Sequence, residues 1–349
     1  MNLAHFDIPA AWRATDLERD KRWIYELTTS DIEQLEAALR ETKRRGLEVP
    51  NIGIDDFPLG DFADRLSRIL DELERGLGVA LIRGFPMERF TKPDAGTILW
   101  GIGAHFGRAV AQNAFGDVLG HVRDLGKDWT TDMTARGYQT TLHQPFHNDS
   151  CDVVGLMCLR TAQSGGVSSI VSSVSIQNVI IENRPDLAKL LLESFYVDRR
   201  GEQAAGDVPY YLTPIFNYHA QKLFVRYNRM YIESAQRFDE APRLTSEQIE
   251  ALDLVDALCR KDGLRYDMEL EPGDMQFLNN YVALHSRTEF EDYPEPDRKR
   301  HLLRLWLFTP GLEDIPNVFR MRYRDMDAWQ EDPRRPIYQL DDVMNVSTH

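Results

Sequence analysis

Apolar residues in the first hundred positions recur mainly at helical intervals. Phe62, Leu66, Ile69, Leu70 and Leu73 fall on one stripe of a helix, which Gly76-Leu-Gly78 ends. Ser30-Asp-Ile-Glu33 has the form of a capping box and predicts a helix running to about residue 45. Pro93-Asp94 predicts the start of another, continuing through His105. Between them, Val79-Ala-Leu-Ile82 is a short apolar run closed by Arg83-Gly-Phe-Pro, which predicts one early buried strand and a turn.

From about residue 108 the pattern changes to short apolar runs divided by Gly, Pro, Asn and Asp. Strands are predicted at 153–159, 168–174, 223–227, 268–270 and 275–278. Helical inserts are predicted at 176–195, bent or split at Pro185, and at 246–260, where Thr245-Ser-Glu-Gln248 supplies a cap. The clearest strand spans 300–308. One face carries Arg300, Leu302, Arg304, Trp306 and Phe308, and the other carries His301, Leu303, Leu305 and Leu307. No internal repeat or long linker divides the chain. It therefore reads as one catalytic domain over 1–349: a mostly helical part to 107, a β-rich core over 108–310, and a C-terminal extension over 311–349.

Composition adds little to the fold but removes some functions. The chain is 42% hydrophobic and 28% charged, with a formal net charge of −15. That acidity disfavours nucleic acid and anionic membrane surfaces as partners, since both recruit basic protein surface. No apolar run is long enough for a membrane span, and no secretory signal is visible. Cys151, Cys158 and Cys259 cannot all pair and lack zinc spacing, which fits a reducing, cytoplasmic setting. A homo-oligomer is neither required nor excluded.

The chemistry lies in two segments far apart in the chain. In Gln144-Pro-Phe-His-Asn-Asp, strand alternation would turn His147 and Asp149 to one side and Asn148 to the other. His285 follows much later, and Arg300 and Arg304 share a face shortly after it. Two imidazoles and a carboxylate are the ligand set of non-haem Fe(II) oxygenases. A guanidinium nearby suits a carboxylate-bearing cosubstrate. Spacing alone leaves open whether each arginine pairs with a protein carboxylate or with a ligand. Any single His-x-Asp triplet is commonplace, and Pro145 argues against a helical zinc pair of His143 with His147. His105 and His121 read as structural, and the cysteines as small apolar packing.

With these segments in view, the sequence resembles the taurine dioxygenase-like, clavaminate-synthase-like family of Fe(II)/2-oxoglutarate oxygenases over about residues 76–310. The resemblance rests on Gly78-Val-Ala-Leu-Ile-Arg-Gly-Phe, His147-Asn-Asp149, Gly165-Gly-Val-Ser168, and Pro272-Gly-Asp274 followed by Asn280 and His285. In the third motif, valine and serine replace the family's acidic residue and threonine. The resemblance implies a mainly β fold with α additions: a distorted double-stranded β-helix, or jelly roll, with a helical N-terminal region and helical insertions. It implies that His147, Asp149 and His285 bind iron, and that Arg300, assisted by Ser168, grips the distal carboxylate of 2-oxoglutarate. Arg304 corresponds to a second family arginine that faces a substrate anion or the cosubstrate. An acidic residue at 149 favours oxidation over halogenation, because related halogenases have a small residue there.

The reaction this implies uses O2 and 2-oxoglutarate to hydroxylate an unactivated C–H of a small organic substrate, releasing succinate and CO2. Desaturation, cyclisation and demethylation share the same iron chemistry. Gln112, Asn113 and His143 are candidate polar groups of the substrate wall, with ordinary loop hydrogen bonding as the competing role. A metal-dependent hydrolase and a non-catalytic binding protein are the readings from other classes. Oxygen-dependent succinate release separates the first from both.

Overall fold

Alternation along the later strands gives each of them two different faces, and the fold buries both. A computed structural model describes residues 3–331 apart from positions 130, 133, 134 and 205. The strands that matter are β1 (Ile24–Glu26), β2 (Val79–Arg83), β3 (Arg108–Ala109), β4 (Leu119–Val122), β5 (Gln144–His147), β6 (Val153–Arg160), β7 (Ser168–Ser172), β8 (Tyr266–Met268), β9 (Met275–Asn279), β10 (Ala283–Arg287) and β11 (His301–Phe308). Among the described residues the larger sheet runs β1-β2-β9-β6-β11-β3, with β4 also paired to β11. The smaller sheet runs β8-β7-β10-β5. Neighbours are antiparallel except for the parallel β1–β2 pair.

Three apolar clusters show how the layers stack. Val79, Val154, Cys158, Leu278, Leu302 and Trp306 of the larger sheet meet Ile170, Met268 and Ala283 of the smaller one. The intervening residues Ala80, Met157, Phe277, Leu303, Leu305 and Leu307 face helices instead. Those helices are α1 (Thr29–Arg44), α2 (Asp61–Arg75) and α3 (Lys92–Phe106). Phe62, Leu66, Ile69 and Leu73 form the buried stripe of α2. Burying each such side chain stabilises the fold by about 1.5–3 kcal/mol. Phe106 of α3 meets Phe277 of β9 edge-on, with ring centroids 4.9 Å apart.

Val171 and Leu284, on the outer face of the smaller sheet, pack against the inserts. These are α4 (Ser173–Asn183), α5 (Pro185–Leu190) and α6 (Ser246–Cys259), the last capped by Thr245. The chain is thus a jelly roll clasped by helices on both outer faces. Its interior face, between the sheets, is where polar side chains need partners.

Several boundaries differ from the sequence expectation. The first long helix starts at Thr29, and its capping box is Thr28 with Asp31 rather than Ser30 with Glu33. Asp31 exchanges hydrogen bonds with Thr28 and also forms an ion pair with Arg65 from α2. The N-terminal part contains two strands, since β1 adds to the expected β2 by parallel pairing. The run from Ser168 leaves the sheet at Ser172, whose hydroxyl accepts the Ser175 N–H and starts α4. A helix occupies Asn317–Glu331 in the expected C-terminal extension, and the remainder of that extension lies outside the described residues.

Candidate active site

β5 and β10 are adjacent strands, and His147 and His285 are direct partners in their ladder. Their rings meet at a centroid distance of 4.4 Å. Asp149 lies just past the end of β5 rather than within the strand. A hydrogen-bonded clamp returns it to the same side. Asn148 points the other way, as alternation requires: its amide N–H donates to the carbonyls of Val225 (3.0 Å) and Asn280 (2.6 Å), and its carbonyl accepts the Tyr227 N–H (2.7 Å). The Asp149 N–H donates to Asn280 Oδ1 at 3.0 Å, and the Arg226 guanidinium donates to the Asp149 carbonyl.

The three side chains converge so that one donor atom from each lies within 4.8 Å of the others. His147 Nε2 is 3.9 Å from Asp149 Oδ1, and His285 Nε2 is 4.0 Å from Asp149 Oδ2. His147 Nδ1 lies 2.8 Å from the Pro145 carbonyl, which fixes the N–H there and leaves Nε2, 3.1 Å from the Gln144 amide, as the lone-pair nitrogen for a ligand bond. Burial pushes the His147 pKa down, and it pushes that of His285 down to about 3 with help from His147. Burial pushes the Asp149 carboxyl up, but Arg304 and the two imidazoles outweigh it and hold the group below its usual range. Neutral imidazoles beside an ionised carboxylate are the protonation states that metal binding requires. Asp149 Oδ2 is buried without a hydrogen-bond partner, which a divalent ion would supply.

Two cavities meet at this triad, sharing Tyr138, Gln144, Asp149 and Arg304 as wall residues. His147 lines the first, with Arg136, Arg226, Asn228, Tyr231 and Trp306. His285 lines the second, with Ser168, Gln276, Arg287, Arg300 and Leu302. Arg304 stands between them. It lies 3.6 Å from Asp149, is flanked by the Tyr138 and Trp306 rings, and donates through Nε to Gln112 Oε1 at 2.7 Å. Arg300 is buried over the Phe290 ring, and burial pulls its pKa down. Gly165 and Gly166, both at positive φ, let the chain turn tightly here. A Cβ on Gly166 would come within 3.1 Å of Arg300 Nε.

The substrate-wall candidates fall differently. Gln112 lines the first cavity, but its amide is committed to Arg304 and to the carbonyl of Val118. Asn113 lines neither cavity and donates to Asp117 at 2.9 Å. His143 is also outside both walls and is exposed. Sequence reasoning missed Gln144, whose amide lies 3.1 Å from His147 Nε2, and Arg287, two residues beyond His285 on the same strand face. Period-two alternation from His285 was the available signal for Arg287.

Residues 43–306 match the family described as "Taurine catabolism dioxygenase TauD, TfdA family". The chain belongs to that family. It is therefore an Fe(II)/2-oxoglutarate-dependent oxygenase of a small organic substrate. It is similar to FR-33289 synthase of Streptomyces rubellomurinus, at 33% identity over 88% of this chain and 91% of the relative. It is also similar to the taurine hydroxylase-like protein SAT17 of Stachybotrys chartarum, at 27% identity over 89% and 84%. Among solved structures, asparagine oxygenase with Fe(II), 3-hydroxyasparagine and succinate superposes with a TM-score of 0.61 at 17% identity, covering 82% of this chain and 94% of that one. The oxygenase OrfP with iron and alpha-ketoglutaric acid superposes at 0.60 and 15% identity, with the same coverage. At such identity these two establish the shared jelly roll. No helix among the described residues is long and apolar enough to cross a membrane.

Proposed function

We propose that this dioxygenase hydroxylates an unactivated C–H of a small organic molecule, with His147, Asp149 and His285 holding Fe(II). The observation that carries the assignment is the junction of two cavities at this one triad. The second cavity suits 2-oxoglutarate: its keto-acid end toward the triad, its far carboxylate toward Arg300 and Ser168. The first cavity takes the substrate. When bound, iron and 2-oxoglutarate draw from O2 the oxidising equivalent that cleaves the C–H bond, leaving succinate and CO2.

The chain's own residues do the positioning. Pro145 sets the His147 tautomer, and the Asn148–Asn280 clamp sets Asp149. Arg304 holds the Asp149 carboxylate ionised and is itself braced by Gln112, which gives Gln112 a positioning role rather than a substrate contact. The similarity to FR-33289 synthase and to a taurine hydroxylase-like protein supports a metabolite-sized substrate.

The test is anaerobic loading with Fe(II) and 2-oxoglutarate, then a small-molecule screen on admitting O2. Substrate-stimulated succinate, with a product heavier by one oxygen, is the expected result. His285→Ala should abolish both metal binding and coupled turnover. Undiminished succinate formation in that variant would overturn the ligand assignment, and a product lighter by two hydrogens would replace hydroxylation with desaturation.

A further inference from the structure

The second cavity contains more buried positive charge than one arginine can explain. Arg287 and Arg300 are both about 5% exposed, and their guanidinium groups flank the same Phe290 ring at 4.7 and 5.1 Å from its centroid. Nη1 of each is buried without a hydrogen-bond partner, and neither forms an ion pair among the described residues. Asp292 turns Oδ1 to the backbone N–H of Arg300 and pairs with neither side chain. Arg287 is otherwise held by carbonyls, with Nε donating to Thr288 at 3.2 Å and Nη2 to Leu142.

Asp124 and Asp292 act on Arg287, and Asp292 on Arg300, only through space, and two adjacent, buried guanidinium groups without a contact counter-ion are unfavourable unless an anion joins them. Arg287 is also the ladder partner of Ser168, which lines the same cavity. A carboxylate has about four lone-pair sites, enough to accept from both forks and a hydroxyl at once.

Resting on the function proposed above, we infer that Arg287 is a second anchor for the far carboxylate of 2-oxoglutarate, facing Arg300 across it. The anchor is therefore a two-arginine clamp rather than a single fork.

The test is anaerobic calorimetric titration of Mn(II)-loaded protein with 2-oxoglutarate and with 2-oxobutanoate, which chelates alike but lacks the far carboxylate. Wild type should strongly prefer 2-oxoglutarate. Arg287→Gln should raise the Kd for 2-oxoglutarate on the order of ten- to hundredfold, the range for a lost charged hydrogen bond, while leaving 2-oxobutanoate within about twofold. Arg287→Lys should recover part of the loss, and it carries the same comparison if Arg287→Gln fails to load Mn(II).

Equal weakening of both ligands would make Arg287 a purely structural residue and overturn the inference. So would an unchanged 2-oxoglutarate Kd in the Arg287 variants alongside a weakened one in Arg300→Gln. A wild type that does not distinguish the two ligands would instead overturn the cosubstrate reading of the cavity, and the inference with it.

Discussion

Replacing Asn148 with alanine separates the scaffold's contribution from that of the proposed metal ligands on either side of it. The side chain is 4% exposed and makes three hydrogen bonds to backbone groups, with Val225, Asn280 and Tyr227. At about 1 kcal/mol net for each bond, Asn148→Ala should destabilise the protein by ~3 kcal/mol. Unfolding entropy of about 2.1 cal/mol/K per residue, over 349 residues, amounts to about 0.7 kcal/mol/K. The melting temperature should therefore fall by ~4 °C in calorimetry of the metal-free protein. Freed from its clamp, Asp149 should also lose its alignment with the two histidines. Mn(II) affinity, measured by titration well below the melting point, should drop on the order of ten- to hundredfold. A lowered melting temperature with unchanged Mn(II) affinity would refute the claim that this clamp orients the carboxylate. An unchanged melting temperature would refute the hydrogen-bond account itself.

Two further outcomes concern stability. His121 and His301 lie 2.6 Å apart, and burial pushes both pKa values well below 6.5. The unfolded chain takes up those protons first, so the stabilisation is complete above about pH 6.5 and declines as pH falls toward 3, by up to ~3 kcal/mol per pH unit for the pair. Urea midpoints between pH 7.5 and 5.5 should show this decline. An equally steep profile in the His121→Gln/His301→Gln double variant would assign it elsewhere. Gly155→Ala would place a Cβ 2.6 Å from the Phe277 ring, so a loss of about 1–3 kcal/mol is expected from denaturant melts, and unchanged stability would show that the ring can move aside.

What the sequence made legible was whatever depends on local period. The two faces of 300–308 emerge as drawn, with Leu303, Leu305 and Leu307 against the helices and Leu302 and Trp306 between the sheets. Features set by distant partners were hidden. β1 is three residues long and exists by pairing with β2. Asp31, the cap residue, is also tied to Arg65 of another helix, and Asn113 turns to Asp117 rather than to a cavity. Arg287 gave a period-two hint, but its lack of a contact ion pair among the described residues appears only once Phe290 and Arg300 are folded against it.

His285 and Arg287 stand two positions apart on β10, in an unbroken ladder with β7 that sets Arg287 opposite Ser168. Their separation is thus governed by the strand's own repeat of roughly 6.8 Å for two residues. In the proposed assignment, the cosubstrate half of the chamber is consequently gauged by backbone geometry. Much of the opposite wall, including Arg136, Asn228 and Tyr231, lies outside the two main sheets. Under that assignment, the wall can be retailored for a new metabolite without recalibrating the half proposed to hold 2-oxoglutarate.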